Sequence, residues 1–267
     1  MLVIRLLLLI KISISFAFAD NLISIDQVGN NADISIIQKG SNNQIKGTGT
    51  NTSAQVSGAN TVLDINQGYD GGNLLQLNVD GDDNNIVVGQ EKSYAITNLG
   101  PGWSDDTNSY GHHTATVDVT GSYNDVQIIQ RNNNTSSAGH TSSAIITNGD
   151  NNSVTTLQTG TANANGHNSY VHIKDGRDGN TVDVFQNSDT ADHKAVVSVY
   201  SNNNIIDINQ TGTTQNKSYV LFSHNSTGPT NFSLTQNGGD TYGNPDTGQY
   251  STITCGNAAG CSVSVSQ

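Results

Sequence analysis

The chain has 267 residues, of which 33% are hydrophobic and only 12% are charged, and its formal net charge is −12. Small and amide side chains dominate the remainder, with 36 Asn, 16 Gln and 28 Gly against 3 Pro and 1 Met. A conventional globular enzyme of this length needs more large apolar residues for its core, and Asn, Gly, Ser and Thr disfavour helices. Composition therefore leaves a disordered low-complexity chain or a β architecture with polar interior positions.

The first segment, residues 1–19, has the features of a secretory signal peptide. Arg5 and Lys11 supply positive charge, most other positions are apolar, and the segment ends on a small-x-small motif. A membrane anchor is the alternative, but the apolar run is short for a span and Lys11 interrupts it. We expect export of residues 20–267, whose net charge becomes −14 once Arg5 and Lys11 are removed. Such an acidic surface disfavours nucleic-acid binding.

Nine short segments share a period-two pattern that ends on glutamine. Two and four positions before each glutamine, seventeen of eighteen residues are apolar, and six positions before it five of nine residues are Asn. Because side chains alternate across a strand, the pattern predicts nine strands that turn one common face inward.

Three sets of interior residues follow from this alignment. The predicted glutamine ladder is Gln38, Gln67, Gln90, Gln130, Gln158, Gln186, Gln210, Gln236 and Gln267. The predicted asparagine ladder is Asn84, Asn124, Asn152, Asn180 and Asn204. The predicted core is Ile34, Ile36, Leu63, Ile65, Ile86, Val88, Val126, Ile128, Val154, Val182, Val184, Ile206, Ile208, Phe232, Leu234, Val263 and Val265.

A second strand precedes each of these, as in residues 115–119, and a short turn rich in Gly and Asn joins the two. One such unit cannot bury its apolar stripe, whereas units stacked about 4.8 Å apart can. The sequence thus predicts an all-β fold, a β-solenoid of about nine stacked strand-turn-strand repeats that form two facing, cross-β-like parallel sheets. Residues 91–113 are a possible surface excursion from this domain, and residues 41–51 a possible degenerate unit.

The sequence has two cysteines, Cys255 and Cys261, with five residues between them. In an exported protein the simplest interpretation is a disulfide across a tight turn. A redox pair is the alternative, although the spacing is not Cys-x-x-Cys.

The search for catalytic chemistry found no nucleophile elbow, P-loop or GxGxxG motif. The seven histidines show no zinc spacing, and we expect them to be surface polar residues, with pH sensing as the alternative. The acidic segments 80–85 and 175–180 resemble loose calcium loops, but they lack a full calcium-binding pattern and turn composition explains them better. The sequence therefore predicts no catalytic residue, no metal site, no cofactor and no enzyme.

The repeat resembles the curlin repeats of curli-type functional amyloid, in which inward Gln and Asn alternate with Gly-containing turns. The segment from Gln38 through Gly40 to Asn43 follows the first half of that pattern, and Gln-x-Gly recurs at Gln158 and Gln210. The resemblance implies secretion to the surface of a Gram-negative bacterium and assembly into extracellular biofilm fibres. It also implies an outer-membrane secretion channel and a nucleator as partners.

Stacked amides can form the ladders found in cross-β assemblies. At the terminal layers such ladders and the strand edges lack a partner, and an open edge recruits another chain. The leading hypothesis is therefore an end-to-end homopolymer. The rival is a monomeric secreted β-solenoid adhesin that binds a glycan or a host surface, which would need capped ends.

Overall fold

A computed structural model places a series of strands along the chain, and every regular element it describes is a β-strand. It describes residues 21–28, 32–38, 42–49, 52–68, 72–90, 112–131, 139–160, 166–174, 176–188, 190–222, 229–237, 241–242, 251–253 and 261–266. The predicted signal peptide, residues 91–111 of the predicted excursion, Cys255 and Gln267 lie outside these ranges. Within them, no helix has the length and apolar character needed to cross a membrane.

The strands form two parallel sheets, and the chain passes from one to the other at each turn. The first sheet contains β1 (Leu22–Ile23), β2 (Ile25–Val28), β4 (Gln44–Lys46), β5 (Ala54–Ser57), β7 (Leu74–Asp80), β9 (Thr114–Thr120), β11 (Thr141–Thr147), β13 (Asn168–Ile173), β15 (Lys194–Val199), β17 (Lys217–Phe222), β19 (Thr241–Tyr242) and β20 (Ser251–Ile253). The second sheet contains β3 (Asp33–Gln38), β6 (Val62–Gln67), β8 (Asn85–Gln90), β10 (Asp125–Arg131), β12 (Ser153–Thr159), β14 (Thr181–Asn187), β16 (Ile205–Thr211), β18 (Thr230–Asn237) and β21 (Cys261–Ser266).

This arrangement confirms the predicted all-β solenoid with two facing parallel sheets, but its turns are not all alike. Six regular turns, from β7 to β18, each contain one full strand in either sheet. In the flanking turns the first-sheet strand occurs as two short segments; β4 and β5, for example, pair with the two halves of β7. Between β4 and β5 the chain makes a small-residue loop closed by a hydrogen bond from Gly47 N to Thr52 O (2.8 Å). The expected count of about nine equivalent units is therefore slightly wrong.

The apolar core lies between the sheets and takes alternate residues from each strand. In β9, for example, Ala115, Val117 and Val119 are buried while the residues between them are half-buried. Of the seventeen predicted core residues, thirteen are at most 2% exposed. The other four lie in the terminal strands and are only partly buried: Ile34, Ile36, Val263 and Val265. Core burial is thus complete in the middle of the stack and incomplete at its ends.

Tight turns join the two strands of a regular turn, and their first residue is often glycine. Gly81 and Gly121 have φ values of 128° and 125°, in a region that side-chain-bearing residues rarely adopt. A Cβ atom added to Gly121 would overlap the carbonyl oxygen of Gly149 in the turn stacked on it. The close approach of successive turns therefore depends on glycine at this position.

Replacing Gly121 by Ala should lower the free energy of unfolding by about 1–3 kcal/mol, because the new Cβ meets backbone and strains φ. Gly89→Ala is the matched control, since its Cβ would come no closer than 3.8 Å to the side chain of Ile129. We expect the control to change stability by less than about 0.5 kcal/mol. Urea unfolding followed by circular dichroism measures both, and equal losses would contradict the argument.

Candidate functional site

The glutamines that end the second-sheet strands form one continuous hydrogen-bonded ladder. From Gln38 to Gln236, the Nε2 of each donates to the Oε1 of the next, with N···O distances of 2.6–3.2 Å. Parallel in-register pairing aligns these residues; Gln130, for instance, pairs with Gln158. Gln267 lies outside the described residues.

The same amides also connect the two sheets. Each Nε2 has a second hydrogen, and that of Gln130 donates to the carbonyl oxygen of Thr114 at 3.0 Å. Gln158 bonds the carbonyl of Thr141 in the same manner at 2.9 Å. Both hydrogens of the side chain are therefore used, one along the stack and one across it. This satisfies a buried polar group that would otherwise destabilise the interior.

The predicted asparagine ladder lies at the corner where each tight turn enters the second sheet. At each step from Asn84 to Asn204 the backbone N–H of the later Asn donates to the Oδ1 of the earlier one, at 2.9–3.0 Å. The ladder ends at Asn204, whose buried Oδ1 has no hydrogen-bond partner among the described residues. The next turn carries Thr230 at this position.

Sequence reasoning missed a third polar column, at the corner where the chain enters the first sheet. In this column a side-chain Oδ1 or Nδ1 accepts the backbone N–H of the next member, at 2.9–3.2 Å. Its members are Asn21, Asn43, Asn73, His113, His140, His167, His193 and Asn216. The chain thus uses Asn and His interchangeably for one backbone hydrogen bond.

The four histidines of this column form a buried stack of imidazoles. Each is at most 1% exposed, and successive ring centroids are 4.8–5.1 Å apart. Because every Nδ1 accepts a backbone N–H, the neutral tautomer with hydrogen on Nε2 is required. The Nε2 atoms of His140 and His167 accordingly lie 3.0 and 2.9 Å from the carbonyl oxygens of Arg131 and Thr159.

Burial lowers the pKa of all four histidines. It lowers the pKa of His113 and His140 from 6.5 to about 3, with repulsion from a neighbouring imidazole adding to it. The pKa of His167, which has a histidine on either side, falls to about 2. Burial also lowers the pKa of His193. The column is therefore built for neutral imidazoles.

The expectation that the histidines are surface polar residues is wrong for these four. The signal for the correct placement was present, because each stands directly before a first-sheet strand, where Asn73 and Asn216 stand in other turns. An alignment of the first-sheet strands with one another places these His and Asn residues in one column.

The acidic turn segments bind neighbouring turns through their carboxylates. Asp82 accepts the backbone N–H of Ala59 at 2.6 Å, and Asp178 accepts that of Asp150 at 2.8 Å. Across the ranges that the structure describes, no group of three or more His, Cys, Asp or Glu side chains is arranged to hold a metal ion. In the histidine column the Nδ1 lone pairs are already occupied by hydrogen bonds. The described geometry thus gives these groups structural roles.

One acidic pair lies on the outer face of the second sheet. Asp183 and Asp207 are direct neighbours in β14 and β16. Burial is the main cause that raises the pKa of each carboxyl, and for Asp183 the nearby Asp207 raises it further while a hydrogen bond from Thr155 lowers it. Stacking like charges therefore carries an electrostatic cost at neutral pH.

Within the described ranges, the two ends of the solenoid present open sheet edges. Among the described residues, β3 and β21 each pair on one side only. The apolar residues of the first turn are correspondingly exposed, with Leu22 at 48% and Ile23 at 49%. Because every glutamine donates towards the C-terminal end, a layer added before Gln38 would have to supply the next donor.

No family model, curated protein or solved structure matches this chain. Neither a family nor an activity can be carried over from a relative, and the curlin resemblance stays a prediction from the repeat pattern. The predicted Cys255–Cys261 disulfide also stays a prediction, since Cys255 lies outside the described residues. What the molecule offers is a set of self-complementary ladders and two open edges.

Replacing Gln130 by Ala should lower the free energy of unfolding by at least about 2 kcal/mol, because it leaves buried groups of Gln90 and Gln158 unpaired. Gln127→Ala on the outer face of the same strand is the matched control. We expect its effect to stay within about 0.5 kcal/mol. Urea unfolding curves of the two variants decide, and a control as unstable as Gln130→Ala would refute the ladder's role.

Proposed function

We propose that this chain is an exported structural protein that assembles end to end into extracellular, amyloid-like fibres of the curli type. Such fibres would serve the biofilm matrix and adhesion to surfaces. Export, a Gram-negative cell surface, and the secretion channel and nucleator as partners belong to the same proposal. They rest on the signal-peptide features and on the repeat pattern.

The observation that carries the proposal is the pair of open, self-complementary ends. The first turn leaves Ile34 and Ile36 partly buried, and the last described strand leaves Val263 and Val265 partly buried. Each edge is a parallel strand that pairs on one side only in the part of the chain that the structure describes, so its other side can bind a further strand. A second copy of the chain offers the same strand spacing, the same apolar column and the same amides, so it matches these edges better than an unrelated partner would.

The direction of the ladders sets how two copies would join. Each ladder glutamine from Gln38 to Gln210 donates to the next one towards the C-terminal end, and each member of the Asn/His column from Asn21 to His193 accepts from the member that follows it. A ladder continued across a junction must keep its direction. In the proposed fibre the C-terminal end of one copy therefore meets the N-terminal end of the next.

The proposal predicts filaments when residues 20–267 are purified unfolded and diluted into neutral buffer. Aligned filaments should diffract near 4.7 and 10 Å, the strand and sheet spacings of a stacked solenoid. Negative-stain microscopy and fibre diffraction make the measurement. Discrete monomers with a β-type circular dichroism spectrum would reject the fibre and favour the solenoid adhesin.

A charge on the open N-terminal edge should block growth. In Ile36→Lys the ammonium would lie in the partly buried apolar column of β3, where it opposes docking of another strand. Elongation from preformed seeds should slow by at least about tenfold, equivalent to about 1.4 kcal/mol. Ile37→Lys on the exposed face of the same strand is the control and should elongate normally. Identical elongation rates would remove this edge from the proposed junction.

A further inference from the structure

The histidine column has a feature that its hydrogen bonding alone does not require. The Oδ1 of Asn73 accepts the backbone N–H of His113, just as the Nδ1 of His113 accepts the backbone N–H of His140. Asn therefore performs the structural task without titrating. Four successive turns nevertheless carry His, so the column adds sensitivity to protons that an all-Asn column would lack.

Protonation is incompatible with the column's geometry. A second proton would sit on Nδ1, which already faces a backbone N–H at 2.9–3.2 Å, and two donors would then oppose each other. The charges would also stack at ring separations of 4.8–5.1 Å inside the protein. Protonated histidines are therefore accommodated in the unfolded chain but not in the folded stack.

Few charged groups are placed to compensate. Beside the ends of the column, His112 adjoins His113 and Asp192 adjoins His193. Arg131 offers His140 a backbone carbonyl, and Lys194 and Lys217 open the strands that follow His193 and Asn216. Among the described residues flanking the column only Asp192 is an anion, and it acts on one histidine. The repulsion along the stack is thus left largely uncompensated.

We propose that the histidine column is a pH-sensitive element that lets the chain fold only where its four imidazoles are neutral, and so confines fibre growth to near-neutral conditions. The claim about fibre growth rests on the proposed function, whereas the claim about pH-dependent folding stands independently of it. In acidic surroundings the chain would stay unfolded, and it would fold when the pH rises.

The direction of the pH dependence follows from the histidine pKa values in the unfolded and in the folded chain. In the unfolded chain the histidines titrate near 6.5, and in the folded chain burial lowers the pKa of His113 and His140 to about 3 and that of His167 to about 2. Burial lowers the pKa of His193 as well. Their stabilising contribution is full above pH 6.5 and is lost as the pH falls towards 3. Each of His113, His140 and His167 makes the unfolding equilibrium constant rise about tenfold for each pH unit that the pH falls within this window. The three together approach about a thousandfold per pH unit, and His193 adds to this in the same direction.

The outer-face carboxylates act in the opposite direction. The raised pKa values of Asp183 and Asp207 mean that the folded state binds their protons more readily, so these groups favour folding as the pH falls. The same holds for Asp64, Asp118 and Asp125. A comparison of wild type with a variant that lacks only the histidines separates the two effects, because both proteins keep these carboxylates.

The test replaces His113, His140, His167 and His193 by Asn, the residue that this column already uses in other turns. Unfolding constants of wild type and variant are measured by urea titration of the mature chain at low concentration, from pH 8 to pH 4. Wild type should take up at least about three more protons on unfolding than the variant around pH 5, one for each of His113, His140 and His167, and His193 adds to this number. His172→Asn, on the outer face of β13, removes a histidine outside the buried stack and is the control; it should change the slope far less than the fourfold variant does.

The same slope in wild type and in the fourfold variant would overturn the proposal. If the fourfold variant does not fold at pH 7.5, the single variant His167→Asn is measured instead. We expect it to take up about one proton fewer on unfolding than wild type, and an unchanged proton uptake would contradict the proposal. Filament growth at pH 7.5 and pH 5 is followed in parallel. Absence of filaments at both values with a steep folding slope would reject the proposed fibre and retain the pH-sensitive fold.

Discussion

In-register parallel stacking sets each side chain of this protein against the side chain with the same role one turn away, about 4.8 Å along the stack. For glutamine this contact closes on itself, since one amide carries both the donor and the acceptor that its neighbour needs. The bond from Gln130 to Gln158 is repeated from Gln38 to Gln236, and the second hydrogen of each amide reaches the opposite sheet. A shift of one residue in any strand would break these bonds and turn apolar residues outward. Register, sheet separation and a polar interior therefore depend on one repeated interaction.

The second sheet could be predicted because its pattern is simple and repeated. Each of its strands has a Gln at or beside its end, and nearly all residues two and four positions before that Gln are apolar, so one alignment locates the ladder and this sheet's core together. Only Thr156 departs from the apolar column, and its buried hydroxyl has no partner in the described part of the chain. The free-energy cost of burying this hydroxyl without a partner can be recognised only in the structure, not in the sequence.

The first sheet was harder for physical reasons. Its corner column accepts either Asn or His, because the task is to present an unprotonated acceptor to a backbone N–H. No single residue type marks the column, and an isolated His such as His140 looks like a surface residue. The split strands were equally hidden, since the short runs β4 and β5 become segments of one layer only by pairing with β7. Whether two short segments form one layer depends on the strand with which they pair, and their own sequences do not show it.

A stack of this kind selects residues by how well they tolerate a copy of themselves. Aliphatic side chains stack without penalty, and amides gain a hydrogen bond, whereas like charges repel. This explains a chain with 36 Asn and 16 Gln in which charged residues make up 12%. Histidine is the one residue type that belongs to both groups. Neutral, it stacks as an amide does, with one donor and one acceptor; protonated, it behaves as an ion. Placing it at four successive turns of a buried column makes the stability of the whole stack depend on which of these two forms is present.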